Sequence, residues 1–254
     1  MGRTFGCFQV DFLYDIVCPY SWIGYRMVQL RRERWNEKNI SLRFFAVRQR
    51  KLQSLAKVDS FLSQVSAKQD YIFRELGRLA RQHCVEIKRP QNLGDIVESS
   101  GSLNALLLLN LIRRERPEFY ERAMELLWSR MWSKEQPALR TSHFFAVCRQ
   151  LGFEFRECDD IVSRIQIQSN ADDLMKRTKR AALAGVFDTP WLEVKCETGQ
   201  SLGFSGIFSI PLVDFLLSRP DVFVEWSLLE ETDETPTDAY PVQTSFTKNC
   251  SSNN

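Results

Sequence analysis

Asp15-Ile16-Val17-Cys18-Pro19-Tyr20-Ser21-Trp22 joins two segments of different periodicity. Upstream, Phe8, Val10, Phe12, Tyr14 and Ile16 alternate with Gln9, Asp11, Leu13 and Asp15, the period-two pattern of a strand. Downstream, Ile23, Met27 and Leu30 fall at i, i+4 and i+7, one face of a helix. Cys18 therefore stands where a strand ends and a helix begins. Pro19 suits the first helical turn, because its missing N–H would have no intrahelical acceptor there. A thiol at that point faces unpaired backbone N–H groups and the positive end of the helix dipole. Both favour thiolate over thiol, so Cys18 is expected to be reactive at neutral pH.

Working outward, Ile40 to Val47 is a second strand candidate, and a helix between two strands makes them parallel. From about Leu52 to Arg180 the period is helical. Val65 to His83, a leucine-rich run capped by Ser102, a segment after Pro117, one capped by Thr141 or Ser142 and ending at Leu151-Gly152, Asp160 to Ser169, and Ala171 to Leu183 all read as helices. Strand patterning returns at Trp191–Cys196, turns at Thr198-Gly199, and comes back over Ser201–Ser205. Ser209 caps a final helix with Pro211 in its first turn. The order is βαβ, an all-helical block, then ββα. That is an α/β, thioredoxin-like fold interrupted by a helical insertion. Residues 8–54 and 182–226 form the discontinuous thioredoxin-like domain and 55–181 the insertion. Residues 227–254, acidic and then rich in Ser, Thr and Asn, read as a mobile tail.

The 254 residues carry 34 basic and 32 acidic side chains, a formal net charge of +2. No strong field toward nucleic acid or membranes follows. The basic clusters Arg31-Arg32-Glu33-Arg34 and Arg48-Gln49-Arg50-Lys51 read as solvated faces, because neither interleaves aromatics. No apolar run reaches the roughly 20 residues of a membrane span. Seven scattered cysteines, no CxxC pair and only two histidines give no metal-ligand spacing and suggest a reduced, intracellular setting.

Tyr14 to Gly24, with Cys18-Pro19-Tyr20-Ser21 at its centre, resembles the opening motif of kappa-class glutathione transferases. These are relatives of the DsbA oxidoreductases and of 2-hydroxychromene-2-carboxylate isomerases. Gly101-Ser102-Leu103-Asn104-Ala105, Glu125 to Ser133, and Ala184 to Pro190 resemble further kappa segments, the last leading into the family's cis-proline. The resemblance implies a homodimer that binds glutathione as co-substrate, uses no metal, and acts on a small electrophile. Carried over, Cys18 is the sulfur-facing catalytic position and Pro19 and Tyr20 flank it. Thr189, before Pro190, pairs with the glutathione backbone, and Lys68 keeps a Lys-x-x-Tyr spacing with Tyr71. Kappa relatives occur in mitochondria and peroxisomes; neither a presequence nor a peroxisomal tripeptide is visible, so the expectation stops at an intracellular protein.

Four departures bear on chemistry. The usual kappa serine is Cys18, which could form a mixed disulfide with glutathione where a serine could not. Ser21 replaces the second cysteine of the DsbA relatives, so only a monothiol, glutathione-resolved exchange is open. The kappa Ser-Asp pair that holds the γ-glutamyl end has no acid counterpart in Phe204 to Ser209, and the family's asparagine has only Val58 or Asp59 nearby. The expected function is glutathione conjugation, with monothiol exchange through Cys18 alongside it. The alternatives are glutathione-dependent isomerisation or a non-catalytic binding protein, and for Cys18 the plain alternative is a small buried apolar residue. Trp128, Trp132, His83, His143 and Cys196 read as structural.

Overall fold

The computed structural model describes residues 8–60, 65–91, 102–134, 136 and 140–232. Strand β1 (Phe8–Tyr14) lies inside a four-stranded sheet of order β2-β1-β3-β4, with β2 (Ser41–Ala46), β3 (Trp191–Cys196) and β4 (Ser201–Ser205). β1 and β2 are parallel, with Phe12 opposite Phe44. Between them the chain crosses through α1 (Pro19–Gln29) and α2 (Arg32–Glu37), as a βαβ unit requires. β3 runs antiparallel to β1, with Leu13 opposite Trp191, and β4 antiparallel to β3.

The even residues Val10, Phe12 and Tyr14 are fully buried against α1 and the C-terminal helices α10 (Ile210–Ser218) and α11 (Pro220–Thr232). Gly24 lets α1 close on the sheet, because a Cβ there would stand 3.0 Å from both Phe12 and Ile207 side chains. Asp11 and Leu13 are buried as well, so the alternation of β1 does not mark a wet face. An inner strand is covered on both sides. Leu13 joins a smaller core with Val47, Leu52, Ala181 and Val186. This second core is built from α3 (Gln49–Ala56) and the last helix of the inserted block.

That block holds α4 (Ser66–Gln82), α5 (Leu103–Glu115), α6 (Tyr120–Trp128), α7 (Thr141–Gln150), α8 (Phe155–Ser163) and α9 (Gln168–Leu183). α5 is buried continuously from Ala105 to Ile112, which accounts for its nearly all-round apolar sequence. α6 runs on into a π turn, Ser129–Ser133.

Several expectations are corrected. Arg31 and Arg34 both pair with Asp214, at 2.5 and 2.6 Å, and Arg32 with Glu121 at 2.8 Å, so that cluster ties α2 to α6 and α10 rather than facing solvent alone. α11 continues through Trp226 to Thr232 because Phe223 and Ser227 are buried, so no tail begins at 227; residues 233–254 lie outside the described residues. Arg140, not Thr141 or Ser142, occupies the N-cap of α7. Cys196 is half-buried at a strand end and packs against the edge of the main core, with its sulfur 2.7 Å from Thr198 Oγ1.

Candidate functional site

Cys18 is the N-cap residue of α1 and Pro19 its first helical residue. The Thr189-Pro190 peptide bond that precedes β3 is cis. These two segments, distant in sequence, meet directly: the Cys18 thiol donates to the Thr189 carbonyl at 3.0 Å. The Pro190 carbonyl in turn accepts the N–H of Gly206 at 2.9 Å, which fixes the loop to the end of β4. Gly206, at φ +75°, lies in the Phe204 to Ser209 stretch that holds no acid counterpart to the kappa Ser-Asp pair.

The expectation of a ready thiolate is overturned. Cys18 is 1% exposed, and burial together with the nearby Asp188 carboxylate pushes its thiol up to about 12. The helix terminus contributes at most about 2 kcal/mol toward the anion. Removing a thiolate from water costs more than that. The Ser21 hydroxyl lies close enough to oppose the rise slightly, yet it makes no hydrogen bond of good geometry. Thr189 Oγ1 is likewise buried with no hydrogen-bond partner among the described residues. Two orphaned hydroxyls beside one thiol cost about 1–3 kcal/mol each unless something polar meets them.

Beneath the thiol lies a polar network that sequence reasoning missed. Asp15 is fully buried and accepts hydrogen bonds from Ser102 Oγ (2.8 Å), the Gln49 N–H (2.8 Å) and the Val17 N–H (3.2 Å). Burial nevertheless raises its carboxyl from 3.8 to about 6. Asp188 Oδ1 accepts from the side chains of Gln49 and Gln53 and from the Thr189 N–H, and burial raises that carboxyl too. Gln49 thus joins the two acids, through its backbone to one and its side chain to the other. Trp132 and Trp128 donate their indole N–H groups to the carbonyls of Ile16 (3.0 Å) and Asp15 (3.4 Å), so the end of α6 and the π turn that follows it hold the strand-to-helix bend. The only signals in the sequence were an acid ending an apolar strand and another just before Thr-Pro.

The remaining expected residues are placed as follows. Pro19 is buried and Tyr20 half-buried, with its hydroxyl donating to Glu75 Oε2 of α4 at 2.7 Å. Burial and that carboxylate hold the phenol well above its usual range. Lys68 is exposed on the first turn of α4, two turns before Glu75 and one before Tyr71, on the face that Tyr20 meets. Val58 and Asp59 follow α3 and are exposed. Both backbone groups of Thr189 are engaged within the chain, the N–H by Asp188 and the carbonyl by Cys18. Any strand-like ligand pairing there must displace them. Among the described residues no His, Cys, Asp and Glu group is arranged to hold a metal.

The sheet and its helical insertion are also what the comparisons point to. Residues 9–214 match the DSBA-like thioredoxin domain. The chain belongs to the DSBA-like thioredoxin family. Among similar members, glutathione S-transferase kappa 1 of Homo sapiens is 26% identical over 211 residues, 83% of this chain and 91% of that protein. The protein of the same name from Rattus norvegicus is 23% identical over 212 residues, with the same coverage of 83% and 91%. A solved 2-hydroxychromene-2-carboxylate isomerase superposes with a TM-score of 0.66 at 15% identity, over 83% of this chain and 95% of its own. That likeness is one of DSBA-like fold. No described helix is long and apolar enough to cross a membrane.

Proposed function

We propose that the chain binds glutathione at the head of α1 and conjugates it to small electrophiles, with Cys18 as a neutral hydrogen-bond donor rather than a nucleophile. The observation that carries this reading is the buried Cys18 thiol, 3.0 Å from the carbonyl of the cis-proline loop and beside the two unsatisfied hydroxyls of Ser21 and Thr189. A thiol pushed up to about 12 stays protonated at neutral pH, as a serine hydroxyl would. Swung off the Thr189 carbonyl, it can donate to a glutathione sulfur instead. The orphaned hydroxyls give a polar ligand further donors. The N-terminus of α1 favours the anionic sulfur, and Thr189 offers strand-like pairing once Asp188 and Cys18 release its backbone. Pro19, Tyr20 and Pro190 form the walls, and Lys68 extends toward a ligand carboxylate. The bound thiolate then attacks the electrophilic carbon, a C–S bond forms, and the leaving group departs with its electron pair. The similarity to proteins named glutathione S-transferase kappa 1 supports the choice of co-substrate. Monothiol exchange through Cys18 is the weaker reading, because a buried neutral thiol attacks disulfides slowly.

The test combines thermal unfolding with turnover. Millimolar glutathione should raise the Tm of the wild-type chain, as any ligand of the native state must. Turnover of 1-chloro-2,4-dinitrobenzene should persist within about tenfold in Cys18→Ser and vanish in Cys18→Phe. No stabilisation and no turnover would leave a non-catalytic descendant of the fold. Loss of turnover in Cys18→Ser would make the sulfur itself the nucleophile.

A further inference from the structure

A second concave feature lies on the opposite side of the sheet from α1. A cleft of about 600 Å³ opens between the strands and α9, a size that suits a small organic ligand. Its lining shares no residue with the Cys18 site. The floor is apolar: Leu13, Phe45 and Trp191, bordered by Ala181 and Val186. The Trp191 ring sits against Gly203, where a Cβ would come within 2.6 Å of it, so only glycine permits this seat.

The charges of the cleft fall into two groups. On the strands they cancel: Arg43 makes two 2.8 Å bonds to Asp11, and Lys195 reaches Asp11 at 3.3 Å and Glu193 at 2.8 Å. On α9, Lys176, Arg177 and Arg180 also line the cleft, and among the described residues none has a carboxylate within salt-bridge distance. Arg177 is held instead by neutral acceptors, the Ala46 carbonyl at 3.3 Å and Asn110 Oδ1 at 2.9 Å. Arg113 stands beside it, 4.1 Å over the Phe45 ring. Three guanidiniums therefore gather around the Phe45 ring: Arg43, paired with Asp11, and Arg113 and Arg177, neither with a bonded anion among the described residues. The lining acids Asp173 and Glu230 are exposed.

We propose that this cleft binds a small organic anion with a flat apolar body, an aryl carboxylate or sulfonate, its ring on Trp191 and Phe45 and its acid group on Lys176, Arg177 and Arg180. An apolar floor with unpaired cations along one wall matches such a molecule in both shape and charge. The site is independent of the glutathione reading.

Equilibrium fluorescence titration of the full chain with 8-anilino-1-naphthalenesulfonate tests it. The double variant Lys176→Glu/Arg180→Glu alters two exposed side chains that make no ion pair among the described residues, so it should fold normally. Saturable binding is expected in the wild type, weakened about tenfold or more in the variant and unchanged by millimolar glutathione. The uncharged probe N-phenyl-1-naphthylamine should bind both proteins alike. Equal dye affinity in the two proteins, or displacement by glutathione, would overturn the proposal. So would dye affinity that falls as protein concentration rises, which would make a second copy of the chain the occupant.

Discussion

Replacing Asp15 with asparagine keeps the side chain's shape and removes its charge. In the native protein the carboxyl is fully buried and titrates near 6, against an ordinary 3.8. The unfolded chain therefore releases this proton at lower pH than the folded one. Stability falls as pH rises through that window, and the loss is complete above the folded value. At about 1.4 kcal/mol per pH unit the penalty near neutrality is about 3 kcal/mol, a large share of a typical 5–15 kcal/mol. Asparagine carries no such penalty. Its carbonyl can accept the Gln49 N–H while the Ser102 hydroxyl rotates to suit, but its NH₂ then faces the Val17 N–H, at a cost of about 1 kcal/mol. The variant should be more stable than wild type by about 1–2 kcal/mol near pH 7.5 and less stable near pH 4. Urea unfolding followed by tryptophan fluorescence across that range measures both. All other titrating groups are shared, so the difference between the two curves isolates Asp15. It should change by about 2–3 kcal/mol from one end to the other. Parallel curves would mean that the carboxyl is not raised and that the network does not hold it away from water.

Two further outcomes follow from the same geometry. With its thiol pushed up to about 12 by burial, native Cys18 should react with iodoacetamide near pH 8 far more slowly than the exposed Cys84, gaining about tenfold per pH unit. Mass mapping that found the two labelled at similar rates would restore the ready thiolate. Gly24→Val would drive a side chain into Phe12 and Ile207, only 3.0 Å from where its Cβ must sit, and should cost about 1–3 kcal/mol; an unchanged urea midpoint would show that α1 is not closed on β1 there.

The strand-to-helix junction was legible in the sequence because it is local. Period-two and period-3.6 patterns meet at Cys18, and Thr189-Pro190 leads directly into the strand beside β1. What escaped was decided by partners far along the chain. α2 reads as charge with one tryptophan, yet it forms because Trp35 is buried and donates to Asp214 Oδ1 at 2.8 Å. The last turns of α11 read as the start of a polar tail, yet the helix runs on to Thr232 from a segment anchored by Phe223 against Phe8, with ring centroids 5.1 Å apart. Asp15, Gln49, Ser102 and Asp188 come from four segments with no shared spacing, so their network has no motif. The sign of the Cys18 shift was misjudged for a related reason. A helix terminus can be read from sequence, whereas the depth at which it is buried depends on the whole fold.

The indole bonds from Trp128 at the end of α6 and Trp132 in the π turn, together with the Ser102 hydroxyl, mean that the bend between β1 and α1 is fastened by the inserted helices. The insertion is thus no detachable ornament on a self-sufficient scaffold. Splicing it out, in an attempt to recover a minimal ancestor, would strip two carbonyls of their indole donors and a buried acid of one of its three donors, at the point where the chain turns its thiol toward the proline loop.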